Sequence, residues 1–278
     1  MIGSLSAESL KIRKRWANWI LLGILLAVLI LLGYVLTYII VTNPPRNFRS
    51  EIPYSVLKRE VFPENLVPNI LAGMPTLGAA IMIIYGSLSS ASEYGWLTVQ
   101  TILIQKPGRL AVLSGKLVAL AMLSLVVSVA LLATAAITSY ILVTVDGTTS
   151  SWPSAAALLK GLGALWLQLS VWTAFGMVIG IVFRSTAAAI GGGLVYLFVI
   201  ESLLGRLFAN TTGVREVLKF LPGVNGAGLN SAFALTYHNP NLPAPLVDAT
   251  RGTITLLIYL AVFTLGAALI FRRRDVGA

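Results

Sequence analysis

Few residues of this 278-residue chain could do chemistry, and where they stand excludes most kinds of it. The single histidine, His238, lies in YHNPNLP, where a solitary imidazole reads as a turn or surface residue. With no second histidine and no cysteine, haem ligation, zinc sites, iron–sulfur clusters and disulfides cannot be assembled from this chain. Ser114-Gly115-Lys116-Leu117 resembles the end of a phosphate-binding loop. The position five before Gly115 is Leu110, however, and Leu117 follows the lysine where Ser or Thr is required, so ATP is not bound by that device. No aspartate stands inside an apolar run, which excludes a paired-aspartate intramembrane protease. Glu201, in VIESLLGR, is the one carboxylate within such a run. It reads as interfacial and partnered by Arg206, with a substrate-lining role as the alternative. No enzymatic activity is expected of the chain itself.

The remaining polar feature is an island, EYGWLTVQTILIQKPGRLAVLSGK, from Glu93 to Lys116 between two long apolar runs. Ser90 or Ser92 can cap a helix whose first turn carries Glu93, a favourable charge at the positive helix end. Pro107-Gly108 stops that helix and Arg109 opens the next. Lys116 stands where its stem can lie along lipid while its ammonium stays at the interface. Such an island asks for a docking partner; an ordinary solvated loop is the plainer alternative.

The elements that must position these residues follow from composition. At 57% hydrophobic, 11% charged and mean hydropathy +0.87, the chain is not an ordinary soluble domain. Six runs are long enough to cross about 30 Å of hydrocarbon: 17–42, 70–90, 117–145, 158–183, 185–205 and 252–271. The expectation is one all-α polytopic membrane domain over residues 1–278. The first run is too long for a signal-peptide core and lacks a small-residue cleavage site, so it is expected to be retained.

Lys and Arg near the span ends set the orientation. The segments 1–16, 91–116, Arg184 and 272–278 carry a denser basic charge and fewer carboxylates than the longer loops opposite. Both termini and the island are therefore expected in the cytoplasm, with segments 43–69 and 206–251 outside. The outer stretch 206–251 reads as a helical hairpin, Val214–Leu221 and Ala227–Ala234, separated by Pro222-Gly223. The +10 net charge invites a nucleic-acid reading, but much of it sits in juxtamembrane clusters that anionic lipid attracts, and no nucleic-acid motif accompanies it. Gly176 and Gly180 have the spacing that lets two helices approach closely, and packing within the subunit is the preferred reading.

Taken together, the island and the tail FRRRDV (Phe271 to Val276) resemble type-2 ATP-binding-cassette exporter permeases. The pattern positions are Glu93, Gly95, Thr98, Ile102-Leu103, Pro107, Arg109 and Gly115-Lys116, with Leu221-Pro222 in the last outer loop. Many relatives carry Gly where Leu97 stands, and a basic residue where Gln100 stands. The resemblance implies a six-helix subunit of a bacterial plasma membrane, paired with a second permease subunit. It also implies that a separate cytoplasmic ATPase, which binds the ATP and magnesium, docks on a coupling elbow at 91–116. Glu93, Gly95, Thr98, Lys106, Pro107, Arg109 and Lys116 would be the coupling residues, and outward transport the function. The chief rival is a non-transporting membrane scaffold or assembly subunit, with a secondary carrier third.

Overall fold

The computed structural model describes residues 2–45, 52–95, 108–204, 207, 211–233, 235 and 244–273. No strand occurs among them. Six helices are long and apolar enough to cross a membrane: Trp16–Thr42, Met74–Glu93, Ala111–Asp146, Ala155–Phe183, Thr186–Leu203 and Ala249–Arg272. A further helix, Ile2–Lys14, precedes the first span and had no counterpart in the sequence reading.

Spans two and four are the core of the bundle. Their apolar windows are 61% and 67% buried, against 22%, 22% and 11% for spans one, five and six. Association of apolar helices in lipid relies on close packing and hydrogen bonds, because hydrocarbon surrounds them in either state. Glycine supplies the closeness. A Cβ added at Gly176 would stand 2.9 Å from the Ile83 Cα, and one at Gly86 would stand 2.7 Å from the Met177 nitrogen. The Ser87 and Ser90 hydroxyls then donate to the Gly176 and Met177 carbonyls at 3.2 and 3.1 Å. The Gly176/Gly180 pair thus packs within the subunit, against span two. Span three packs beside span four and span one beside span three, while span six lies on span four. Phe175 of span four meets Tyr196 of span five and Phe263 of span six, with ring centroids 5.0 and 5.4 Å apart.

Ser90 and Ser92 do not cap a helix. One helix, Ala79–Gly95, runs unbroken through both, and their hydroxyls bond back to the Gly86 and Leu88 carbonyls at 3.0 and 2.6 Å. A serine that takes the carbonyl four residues back has no need of a new helix start.

Three spans contain π-helical stretches, Leu29–Val35, Met74–Gly78 and Tyr196–Leu204. Pro75, which has no N–H, sits in the second of them. The wider turn has a consequence for side chains: residues five apart come to the same face. Thr37 and Ser202 accordingly donate to carbonyls five residues back, at Leu32 and Leu197.

At the end of the bundle away from the N-terminal helix, Tyr54–Leu57 is α-helical and Lys58–Val61 continues as 3₁₀. Lys58 pairs with Asp146 at 2.6 Å there. The expected hairpin consists of helices Thr212–Leu218 and Pro222–Asn230. Its second helix begins at Pro222 rather than after a Pro-Gly break, because a proline at the first helical position lacks only an N–H that would have no partner anyway. This capping helix lies against span six, where a Cβ at Gly252 would come within 2.7 Å of the Leu229 nitrogen. Asn230 donates to the Leu71 carbonyl at 2.9 Å and accepts from Gln168 at 2.8 Å.

Gly176→Ala is expected to lower the melting temperature of the purified protein by several degrees, about 1–3 kcal/mol of overpacking. Gly191→Ala, where nothing lies within 4 Å of the added carbon, should melt at or above the parent. Equal melting of the two variants would count against the close approach.

Candidate functional site

The island's two limbs end in one buried cluster of charge. Glu93 closes span two, and Lys116 stands about two turns into the helix that Arg109 opens. Their side chains are 10% and 5% exposed and lie 2.9 Å apart. The N-terminal helix contributes Glu8 and Lys11, one turn apart on the same face. Glu8 contacts Lys11 at 2.7 Å and Lys116 at 3.3 Å, and Glu93 contacts Lys11 at 2.7 Å. Each carboxylate therefore meets both ammonium groups. Lys116 also donates to the Ser89 carbonyl at 2.7 Å.

Local sequence explains how these groups converge. Arg15 is extended (φ −81°, ψ 113°) and turns the chain between the N-terminal helix and span one. Asn18 and Trp19 fix the bend by donating to the Ile12 and Arg13 carbonyls, both at 2.9 Å. The Arg15 guanidinium reaches across to the Leu88 carbonyl and the Ser92 hydroxyl, at 3.0 and 2.7 Å. Gly115 makes the crossing possible: a Cβ there would stand 2.8 Å from the Ser4 Cβ and 3.0 Å from the Leu5 nitrogen. Gly115-Lys116, an incomplete phosphate loop by sequence, is thus a crossing point followed by an ion-pairing lysine.

Burial opposes the charge of Lys11, but its bonds to the Glu8 and Glu93 carboxylates outweigh that and hold it above the ordinary lysine range. Beside the cluster is a cavity of about 20 Å³, lined by Glu8, Lys11, Arg15 and Tyr85 among others, with room for about one water.

Lys116 does not run along lipid. The N-terminal helix covers it and supplies Glu8, so its ammonium ends in an ion pair within the protein. Gly95 closes the second helix and Arg109 opens the third, after an extended Gly108. Thr98, Lys106 and Pro107 lie outside the described residues, as does His238. Sequence reasoning missed Glu8, Lys11 and Arg15. The available signal was Glu8, the only acidic residue in the first fifty, three before a lysine.

Glu201 stands apart, at the end near the capping helix. Arg206 lies outside the described residues. The Glu201 carboxylate is buried and accepts from the Gly223 N–H at 2.9 Å and the Tyr196 hydroxyl at 3.1 Å. Gly223 lies in the first turn of the capping helix, whose positive end suits a carboxylate. Tyr196 is five residues earlier, within reach because the stretch is π-helical. One oxygen thus holds the capping helix to span five, while the other is engaged by Tyr196 within span five.

Fold and site together define a polytopic helical membrane protein whose N-terminal helix is ion-paired to the junctions of its second and third spans. Residues 24–277 match the family described as "Protein of unknown function (DUF2705)", and the chain belongs to that family. No curated protein matches it.

Lys116→Met leaves two buried carboxylates with one cation, and is expected to cost about 3–5 kcal/mol. Glu93→Gln in the same chain should recover part of that, since it leaves Glu8 paired with Lys11. Thermal melting of the two variants measures it, and a double variant no more stable than Lys116→Met would contradict the shared pairing. A second expectation concerns pH. Because the folded protein holds Lys11 above 10.5, its contribution is fully present below that pH and is lost as pH rises past it. The melting temperature should therefore fall on the alkaline side of about pH 10.5.

Proposed function

We propose that this chain is the membrane-spanning permease subunit of an ATP-driven exporter, with a separate cytoplasmic ATPase docking on segment 91–116. One observation carries the reading: a single buried cluster anchors both limbs of that segment, through Glu93 and Lys116, and ties them to the N-terminal helix. A push on the segment between them reaches spans two and three together. An ordinary loop does not need that foundation.

The pattern of residues supports the same reading. Glu93 and Lys116 hold the base, Gly95 and Pro107-Gly108 supply the bends, and Thr98, Lys106 and Arg109 meet the ATPase, which holds the ATP and magnesium. Spans one, five and six keep most of their surface outside the subunit, which suits pairing with a second permease subunit in the plasma membrane. Both termini then face the cytoplasm, the capping helix faces outward, and cargo moves outward.

The chain has no cysteine, which allows a clean topology test. An impermeant maleimide added to intact cells should label Thr149→Cys and leave Gly3→Cys unlabelled; the reverse pattern would invert the orientation. Purification of the tagged chain from its own host should recover an ATPase in equal amount. Deleting residues 96–106 should abolish that recovery while leaving membrane insertion intact. Undiminished ATPase recovery by the deletion variant would refute docking at this segment. Recovery of the intact chain with other membrane proteins and no ATPase would favour the scaffold.

A further inference from the structure

The fold divides the basic run Lys11–Arg15 instead of presenting it as one patch. The N-terminal helix turns Ser4, Leu5 and Glu8 towards the ends of spans two and three, with the Ser4 hydroxyl donating to the Val112 carbonyl at 3.3 Å. Lys11 and Arg15 follow that face inward, Lys11 to Glu8 and Glu93, Arg15 to the Leu88 carbonyl and the Ser92 hydroxyl. Arg13 and Lys14 fall on the opposite side with Gly3, Ser6 and Leu10, and all five are exposed. Neither cation pairs with a carboxylate among the described residues.

That basic face adjoins the start of span one. Trp16, Trp19 and Ile20 in its first turns are all exposed, and Trp16, at 81%, is the most exposed large apolar side chain among the described residues. Indole rings favour the boundary between lipid headgroups and hydrocarbon, so the two tryptophans set the depth at which the chain enters the bilayer. Arg13 is tied to that depth, because the Trp19 indole N–H donates to its carbonyl at 2.9 Å. Water alone could solvate both cations, and cations suit the last turn of a helix in any case. Water does not, however, account for the bare indole of Trp16 beside them. An acidic protein would match the charge, yet it would meet a face whose other half, Trp16 and Ile20, is turned to hydrocarbon.

We infer that Arg13, Lys14 and Trp16 form a binding site for the headgroup of an anionic phospholipid. Its phosphate lies within reach of both cations, and its acyl chains run along Trp19, Ile20 and Ile24, the exposed side of span one. The lipid covers the outer face of a helix whose inner face carries Glu8 and Lys11, and so braces the ion cluster from outside. The site involves no ATPase and does not depend on the exporter reading.

The test places the full-length chain in nanodiscs of phosphatidylcholine, alone or mixed with phosphatidylglycerol. It compares the parent with Arg13→Gln/Lys14→Gln and with Arg215→Gln/Arg251→Gln, which removes two exposed cations near the capping helix. Native mass spectrometry of chain released from the mixed discs should show phosphatidylglycerol retained over phosphatidylcholine on the parent. The Arg13/Lys14 variant should weaken that preference about 25-fold, about 5-fold for each charge beside the headgroups, while the control pair keeps it. Phosphatidylglycerol should also raise the melting temperature of the parent and the control, and the Arg13/Lys14 variant should lose most of that rise. Both substituted side chains stand outside the ion cluster, so in phosphatidylcholine alone this variant should melt like the parent. Equal retention by the parent and the Arg13/Lys14 variant would overturn the site. So would an equal loss in the control pair, which would reduce the preference to net charge. A full melting gain from soluble glycerol phosphate would make free phosphate the ligand, and a parent that retains no phosphatidylglycerol but purifies with an acidic protein would give the face to that protein.

Discussion

Two buried carboxylates must be neutralised by the ammonium groups beside them, Lys116 buried and Lys11 half-exposed, and that requirement fixes one end of this bundle. An ion taken out of water costs several kcal/mol even after its surroundings relax, so such a group persists only in close company. Glu8, Lys11, Glu93 and Lys116 supply that company in equal numbers, each acid shared between both bases. The arrangement is closed: withdrawing any one member leaves another charge unmatched. Three separate elements, the N-terminal helix and the ends of spans two and three, are therefore held in one relation by electrostatics rather than by shape alone. Gly115 is a condition for it, because only a bare backbone lets Ser4 and Leu5 approach closely enough.

The opposite end is held differently. The capping helix rests on hydrogen bonds from Asn230 to the Leu71 carbonyl and from Tyr259 to the Phe220 carbonyl, and on the Glu201 carboxylate at its first turn. Two of these anchors adjoin π-helical stretches: Leu71 lies just before Met74–Gly78, and Glu201 within Tyr196–Leu204. In an α-helix, Tyr196 and Glu201 would point to different sides, since neighbours on a helix face are three or four apart. The wider turn brings them together. A shared ion cluster thus binds one end of the bundle, while at the other, beside the single Lys58–Asp146 pair, the capping helix depends on single hydrogen bonds and on irregular backbone to aim them.

What the sequence revealed follows the range of the interactions. Apolar runs near twenty residues are local, so the six spans could be read directly, as could the helix start at Arg109 after Pro107-Gly108. The cluster could not, because the pairs that bring the N-terminal helix into it join residues 82 and 108 positions apart. Lys116 reads as a snorkelling lysine until the N-terminal helix is laid over it. Ser90 and Ser92 read as caps until span four is placed beside them and the carbonyl of Met177 proves a partner for Ser90. The capping helix was half legible: Pro222 marked a boundary, but only the fold shows that it begins a helix. The space between spans three, four and six has no local signature, since residues from all three line it.

The closed charge balance also bears on how motion can pass through the molecule. A displacement at the island could be absorbed by melting its two limbs or by moving them as one piece. Melting would separate Glu93 and Lys116 while both are still shielded from water, which is the costly outcome for buried ions. Moving as one piece keeps every pair intact and turns the start of span three along with the end of span two. Ser124 lies eight residues beyond Lys116, about 12 Å along the same unbroken helix. The ion pairs that make the base stiff are thus joined, through the unbroken helix of span three, to the middle of the bundle.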